Sequence, residues 1–298
     1  MSSVQIRPFV RADRDQLAAL VNMHVAAVVP GMSASVQTVL DHLEREPGEF
    51  IVDPWVTERV TLVAVRRSRI VAAAHLLRYG AEGKVDETYR GAGEIRWLLC
   101  WPDSPDAGDC LALACLAQLA RWRVRRRYAD GTLPVPGVYG VPRQWPHVRD
   151  IYARAGFTVT GRTETVFLAV VGDLPRPGAA PAGPLTARRS LGVNGTRISA
   201  VRDGETVGHI EVDTNLGDAA RLSRWGGWAD VGDLWVAERH RRRGVGTWLM
   251  GQAAAWLRLA GVTRLLDYAE AGQDEYAAFL HRAGFIELTR TERGLTAP

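Results

Sequence analysis

Lysine is nearly missing from this chain of 298 residues: Lys84 is the only one, and arginine carries the rest of the positive side-chain charge. Cysteine is scarce as well. Cys100, Cys110 and Cys115 are an odd number without metal-ligand spacing, which reads as buried free thiols rather than a zinc or disulfide framework. None has a histidine-paired context and no Gly-x-Ser-x-Gly turn occurs, so a covalent acyl-enzyme is not expected. No apolar run reaches the length of a membrane span, and the start Met1-Ser-Ser-Val-Gln-Ile6 lacks the apolar region of a signal peptide. A hydrophobic fraction of 47% with 23% charged residues fits a soluble globular protein, expected in the cytoplasm. The length suits two domains of about 150 residues each.

A net charge of +4 raises the question of nucleic acid. Basic clusters occur at Arg121–Arg127 and Arg239–Arg243, but neither comes with zinc-finger spacing or an aromatic RNA-binding signature. The first is explained as a solvated helix end, where cations favour the dipole. Nucleic acid is not the expected partner.

The second cluster belongs to the most informative stretch, Leu234-Trp-Val-Ala-Glu-Arg-His-Arg-Arg-Arg-Gly-Val-Gly-Thr-Trp-Leu-Met250. An apolar strand-like run enters a basic turn, and an amphipathic helix follows. Glycine lets backbone lie against a ligand, and a helix start offers unpaired N–H groups and the positive end of its dipole. Arg241, Arg242 and Arg243 add groups that can bond phosphate oxygens in pairs. Together these suit a pyrophosphate. The bland alternative is a basic turn facing solvent. Neither the dinucleotide fingerprint Gly-x-Gly-x-x-Gly nor the phosphate loop Gly-x-x-x-x-Gly-Lys-Ser/Thr is matched.

Arg241-x-x-Gly244-x-Gly246 resembles the acyl-CoA loop, Gln/Arg-x-x-Gly-x-Gly/Ala, of the GCN5-related N-acetyltransferase (GNAT) superfamily. A second similarity lies downstream, where Gln273-Asp-Glu-Tyr-Ala-Ala-Phe-Leu-His-Arg-Ala-Gly-Phe285 reads as a short helix ending on Ala-Gly-Phe before a strand. The resemblance implies an α/β fold with a mixed sheet and acetyl-CoA as cosubstrate, with no metal. It also implies that Leu234, Trp235 and Val236 pair with the pantetheine arm. Residues Arg242 to Thr247, Val245 among them, would hold the pyrophosphate, and Gln273 is carried over as a CoA contact.

The stretch Gly172–Pro184 holds four prolines and three glycines and reads as a linker. The expected organisation is therefore a domain at 1–172, a linker at 173–184 and a domain at 185–298. Upstream, the pattern predicts a strand Val4–Phe9, a helix capped by Asp13 to about Val28 and a helix from Ser35 to about Glu44. A hairpin Thr61–Arg66 and Ile70–Arg78, a strand Glu94–Trp101 and a helix from about Asp109 to Arg126 follow. A strand Gly137–Val141, a helix Pro146–Arg154 and the turn Ala155-Gly156-Phe157 close the half. Downstream come Leu185–Leu191, a hairpin Arg197–Val201 and Val207–Asp213, and a strand Asp230–Val236. A helix Gly244–Leu259, a strand Arg264–Tyr268 and Ala283-Gly284-Phe285 complete it. The order repeats, except that the second half lacks the two early helices. Two tandem GNAT-like acyl-CoA N-acyltransferase domains are expected, the second without its first two helices.

Aligning the halves separates them. Asp230 lies eleven residues before Arg241, and Glu94 lies eleven before Pro105, which stands in Arg241's place. The first-half loop Pro105-Asp-Ala-Gly-Asp-Cys110 swaps arginine for proline and brings two aspartates, whose charge opposes a pyrophosphate. The first half is expected to bind CoA poorly. In the family a tyrosine four residues before the Ala-Gly-Phe glycine protonates the departing thiolate. Tyr152 holds that place in the first half, with a packed core tyrosine as the alternative, and Leu280 holds it in the second. Tyr276, one turn earlier, is the substitute.

The implied reaction is direct acetyl transfer to an amine of a small molecule or peptide. Most alkylamines are protonated at neutral pH, so a base must act. Asp230 is the family-equivalent candidate and Asp233 the other; three apart on a strand, they are expected on opposite faces. The missing helices form one acceptor wall in the family, so the first half, or the second subunit of a homodimer, would supply it. Two alternatives stand beside this reading. One is a non-catalytic acyl-CoA sensor that contacts protein or nucleic acid. The other is a catalytic first half using Glu94 and Tyr152.

Overall fold

The structure is a computed structural model that describes residues 3–46, 51–178, 184–213 and 227–297. Contacts divide the chain into two compact units, residues 1–163 with 289–298, and residues 164–288. This differs from the division expected at the proline-rich stretch, whose residues 179–183 lie outside the described ones. Two long strands cause the difference. One runs past the end of the first unit at residue 163, and the last strand of the chain belongs mostly to that first unit.

The first unit comprises β1 (Gln5–Pro8), α1 (Arg14–Val28), α2 (Val36–Glu44), β2 (Val56–Arg66), β3 (Arg69–Tyr79), β4 (Gly93–Cys100) and α3 (Pro105–Arg121). It continues with β5 (Arg127–Ala129), β6 (Val141–Pro142), α4 (Pro146–Arg154) and the start of β7 (Thr158–Val170). β1, β2, β3 and β4 pair antiparallel in sequence order, and β4 pairs parallel with β5. The final strand, β13 (Ile286–Ala297), pairs antiparallel with β5 and with β6. α1 and α3 both pack on β3 and β4. β4 is buried along its whole length, as expected when helices cover both faces of a sheet.

The second unit holds the rest of β7, then β8 (Thr186–Gly192), β9 (Gly195–Arg202), β10 (Glu205–Asp213) and β11 (Trp228–Val236). α5 (Val245–Leu259), β12 (Arg264–Glu270) and α6 (Asp274–Ala283) follow. Its sheet runs β8, β9, β10, β11, β12, β7, with only β11 and β12 parallel. β8 turns straight into β9 at Val193-Asn194, so the two early helices of the first unit have no counterpart there. One apolar face is packed: Ile198, Ile210, Ala229 and Val231 meet Leu249, Ala253 and Leu257 of α5. Among the described residues, no helix is long and apolar enough to cross a membrane.

Three local expectations are corrected. Asp13 precedes α1 but makes no side-chain cap; its carboxylate instead accepts from Arg7 at 2.6 and 2.8 Å and from the Val10 N–H at 3.0 Å. The third helix runs Pro105–Arg121 rather than Asp109–Arg126. Proline suits a first helical turn, and Arg123 at φ 55° lies beyond the end, where a right-handed helix cannot continue. The strand beside β4 is Arg127–Ala129, inside the basic cluster, while 137–141 reaches strand geometry only at its end.

Candidate active site

β11 carries the central irregularity of the second unit. Glu211 faces Asp233 and Val212 faces Val231, so Gly232 is an extra residue, a β-bulge. Only glycine fits there: a Cβ would lie 2.4 Å from Cβ of Asn194 at the β8–β9 turn. On its other side β11 pairs with β12 at only three positions, ending at Asp230 opposite Leu266. From Val231 to Val236, β11 therefore has a strand partner on the β10 side alone, among the described residues. The two strands part at the bulge. Leu234 and Val236 pack on the apolar face, and Trp235 is exposed on the other.

A short turn leads from this edge to α5. Arg241 donates Nε–H to the Val236 carbonyl at 3.0 Å. Arg242, at φ 58°, pairs with Glu275 of α6 at 2.5 Å, and Gly244, at φ 80°, is the left-handed residue that opens α5. Such a φ carries a penalty for any side chain and none for glycine. Among the described residues the N–H groups from Arg242 to Thr247 have no backbone partner, and Trp248 N–H is the first to bond back, to Gly244 at 2.9 Å. Six successive N–H groups are thus left without a backbone partner where the turn enters the helix, with Arg243 among these residues. Gly246 faces the Phe279 ring of α6, which a Cβ would approach to 3.4 Å. Gln273 sits just before α6, where its Oε1 accepts from Glu270 N–H at 3.1 Å.

The bulge overturns the expectation that Asp230 and Asp233 face opposite ways. Asp230 lies opposite Asp213 and Asp233 opposite Glu211, and those two partners are two residues apart on β10. The extra residue restores the phase, so both aspartates lie on the face away from α5. Asp230 accepts from the Tyr268 hydroxyl at 3.1 Å. Asp233 is exposed and pairs with His209 Nε2 at 2.6 Å, while the His209 ring lies 5.7 Å from that of Trp235. Burial pushes Glu211 upward, but the Asn194 N–H and Arg197 outweigh it and hold the carboxyl below its ordinary value.

Tyr276 faces the other way. Its hydroxyl donates to Asp267 Oδ2 at 2.8 Å, and the Tyr268 N–H donates to Oδ1 at 2.7 Å. Asp267 is buried, and this desolvation pushes it up to about 8 against the two hydrogen bonds that lower it. Burial and Asp267 together push Tyr276 well above the phenol range. Leu280 is wholly buried in the apolar core. Sequence reasoning did not single out Asp267, Tyr268, His209 or Glu211. The signal for Asp267 was present, a carboxylate inside the apolar strand Arg264-Leu-Leu-Asp-Tyr268.

The matching places in the first unit are built differently. β4 has the same bulge, at Arg96, two residues after Glu94 just as Gly232 follows Asp230 by two. Its helix start offers no row of free N–H groups: Pro105 has none, while Ser104, Ala107 and Gly108 N–H bond locally. Asp106 pairs with Arg66, and Asp109 with Arg154 at 2.8 Å. Tyr152 is buried and donates to the Asp130 carbonyl at 2.8 Å, with Phe157 edge-on at 5.5 Å.

Residues 174–285 match the acetyltransferase (GNAT) family. The second unit is a GNAT domain. The glycine turn that opens α5 is the part the resemblance led one to expect. Solved structures extend the likeness over the chain. A tandem GNAT protein from the clavulanic acid biosynthesis pathway is 18% identical with a TM-score of 0.66, covering 99% of this chain and 98% of that one. A GNAT protein from Sphaerobacter thermophilus is 15% identical with a TM-score of 0.62, covering 98% and 94%. A glucosamine N-acetyltransferase region of a fungal multi-domain β-N-acetylglucosaminidase is 14% identical with a TM-score of 0.65, covering 99% of this chain and 38% of that one. At these identities the likeness is one of fold, and that fold is the tandem GNAT fold. No protein of curated function matches the chain in sequence.

Proposed function

We propose that the protein is an acetyl-CoA-dependent N-acetyltransferase acting on a small-molecule amine in the cytoplasm, with acyl-CoA held by the second unit. The observation that carries this reading is the row of N–H groups from Arg242 to Thr247 that have no backbone partner among the described residues, next to the edge of β11 that β12 leaves. Backbone N–H groups at a helix start suit a pyrophosphate, and the glycines let it approach. Leu234 to Val236 would offer their free strand edge to the pantetheine amides, and Arg241 and Arg243 would add charge. Acetyl-CoA brings an activated thioester, so the protein's own task is to position it and to manage protons.

An alkylammonium must lose a proton before it attacks. Asp230 and Asp233 share the face away from α5, with His209 bonded to Asp233. Asp230 is the base in this reading, and the Asp233–His209 pair, on the same face two register positions along β10, is the route by which its proton leaves. Tyr276 is the donor available to the leaving thiolate, with Asp267 behind it as a carboxyl that is mostly protonated at neutral pH. A thiol of ordinary pKa about 8.5 leaves tolerably without help, so that proton assists and is not essential.

The test is free-thiol release from acetyl-CoA against a panel of primary amines. Turnover with one of them supports the enzyme. Tight CoA binding with no turnover on any amine would instead favour an acyl-CoA sensor, a reading to which the withdrawn position of Tyr276 and the replacement Leu280 lend weight.

A further inference from the structure

The second unit has no counterpart of α1 and α2, yet a different element reaches the face that α2 covers in the first. Aligning the two bulges pairs Asp230 with Glu94, Gly232 with Arg96 and Asp233 with Trp97. By the same register Glu211, opposite Asp233, corresponds to His75, opposite Trp97. In the first unit α2 lies over this face, with the His42 ring 6.1 Å from that of His75. In the second unit the short turn between β8 and β9 comes down on it at the bulge.

The contacts of this turn are specific. The Asn194 N–H donates to Oε2 of Glu211 at 2.8 Å, and Oε1 of the same carboxylate is held by Arg197 of β9. The Asn194 side chain lies against Gly232, and its Nδ2 donates to the Gly232 carbonyl in a long bond of 3.4 Å. The residues flanking the turn lie as close. At Gly192 a Cβ would sit 2.6 Å from the Glu211 carboxylate. At Gly195 it would sit 2.5 Å from the Val212 carbonyl oxygen and 2.9 Å from Cα of Asp213, the residue opposite Asp230. Glycine on both flanks therefore lets the turn press onto the strands. Leu191 and Val193 are 91% and 88% exposed and take no part in the contact.

Asn194 is thus the side chain through which the turn meets β11. A bulge takes one residue out of the ladder, and that residue keeps a single geometry only if something else holds it. Gly232 has no side chain with which to hold itself. The first unit meets the same need from the same place in the chain order. There Glu46, which precedes β2, forms an ion pair at 3.3 Å with the bulge residue Arg96, as Asn194, which precedes β9, meets Gly232.

We infer that Asn194 is a positioning residue: held by Glu211, it fixes the bulge that brings Asp230 and Asp233 onto one face. The β8–β9 turn thereby does at the bulge, from within the second unit, what the segment following α2 does in the first. Its effect on turnover rests on the acetyltransferase reading, in which Asp230 takes the amine proton. Its effect on Asp233 and on His209, which bonds Asp233, does not.

Two measurements on the full chain test this. In carbon–proton NMR spectra the ring signals of His209, identified by their loss in His209→Gln, should move in Asn194→Ala. They should stay in place in Val193→Ala, a change at an exposed side chain of the same turn. Thiol release with an amine that the parent acetylates should show kcat reduced roughly tenfold in Asn194→Ala, with the KM for acetyl-CoA unchanged, and parental values in Val193→Ala. Asn194→Ser, which removes the amide and keeps a small polar side chain, is read in the same way if Asn194→Ala does not fold. Unmoved His209 signals in the folded variant overturn the proposal, and so does a parental kcat. Moved signals in a protein whose parent acetylates no amine support the placement of Asp233 by Asn194 and remove the acetyltransferase reading alone.

Discussion

Replacing Asp267 with asparagine isolates the proton balance of the buried carboxyl behind Tyr276. In the folded protein Asp267 is raised from its ordinary 3.8 to about 8 by burial. Between those values the folded chain keeps a proton that the unfolded chain has released, so stability falls as pH rises through this window. Below the lower value both states are protonated, and above the upper one both are ionised, so the dependence stops at each end. Asparagine keeps the shape and can accept from the Tyr276 hydroxyl, but it does not titrate. The stability of Asp267→Asn minus that of the parent should therefore widen by about 1.4 kcal/mol per pH unit, or about 4 kcal/mol from pH 5 to pH 8. Relaxation around the ionised carboxylate reduces that figure, so about 2 kcal/mol is the least expected. Urea unfolding of both proteins at each pH, followed by circular dichroism, gives the difference directly, and other titrating groups cancel in it. A difference that stays flat from pH 5 to pH 8 would show that Asp267 is ionised in the folded state and would refute the reasoning.

Asp230→Asn should reduce turnover at neutral pH by roughly 10² or more while leaving CoA affinity nearly unchanged. Because the bulge puts both aspartates on one face, Asp233→Asn should also reduce turnover, by a smaller factor, and full activity in it would remove the His209 pair from the proton route. Tyr276→Phe should lower kcat roughly tenfold with the KM for acetyl-CoA unchanged, measured by thiol release; unaltered kcat would exclude Tyr276 as the acid. Ending the chain after Leu288 removes the strand that pairs with β5 and β6 and the Thr289 hydroxyl bonded to Gln144. Thermal unfolding should then show the first unit destabilised, and an unchanged melting profile would contradict the division into units.

Most of the second unit could be read from its residues. Gly244 and Gly246 behind a run of arginines announce a glycine-bearing turn into a helix, and the strands, helices and their order follow the expected pattern. The bulge could not be read, because Gly232 looks like any glycine in a strand until Asn194 from a distant turn is placed on it. With it went the true facing of Asp230 and Asp233. β5 was hidden for a different reason: in Arg127-Tyr-Ala129 the arginines mask a short strand that owes its place to β4 and β13 rather than to its own propensity. The division into units was hidden by the chain's last strand, whose partner β5 lies far away in sequence.

The account rests on CoA being held by the glycine turn of the second unit, and calorimetric titration of CoA measures this most directly. Gly244→Val forces a side chain onto a left-handed residue and Gly246→Val presses one against Phe279, so together they distort the turn whose N–H groups would meet a pyrophosphate, and the account predicts affinity at least tenfold weaker than that of the parent. The matching change in the first unit, Gly108→Ala, should leave CoA affinity as it was. Unchanged CoA affinity in the folded double valine variant would contradict the account.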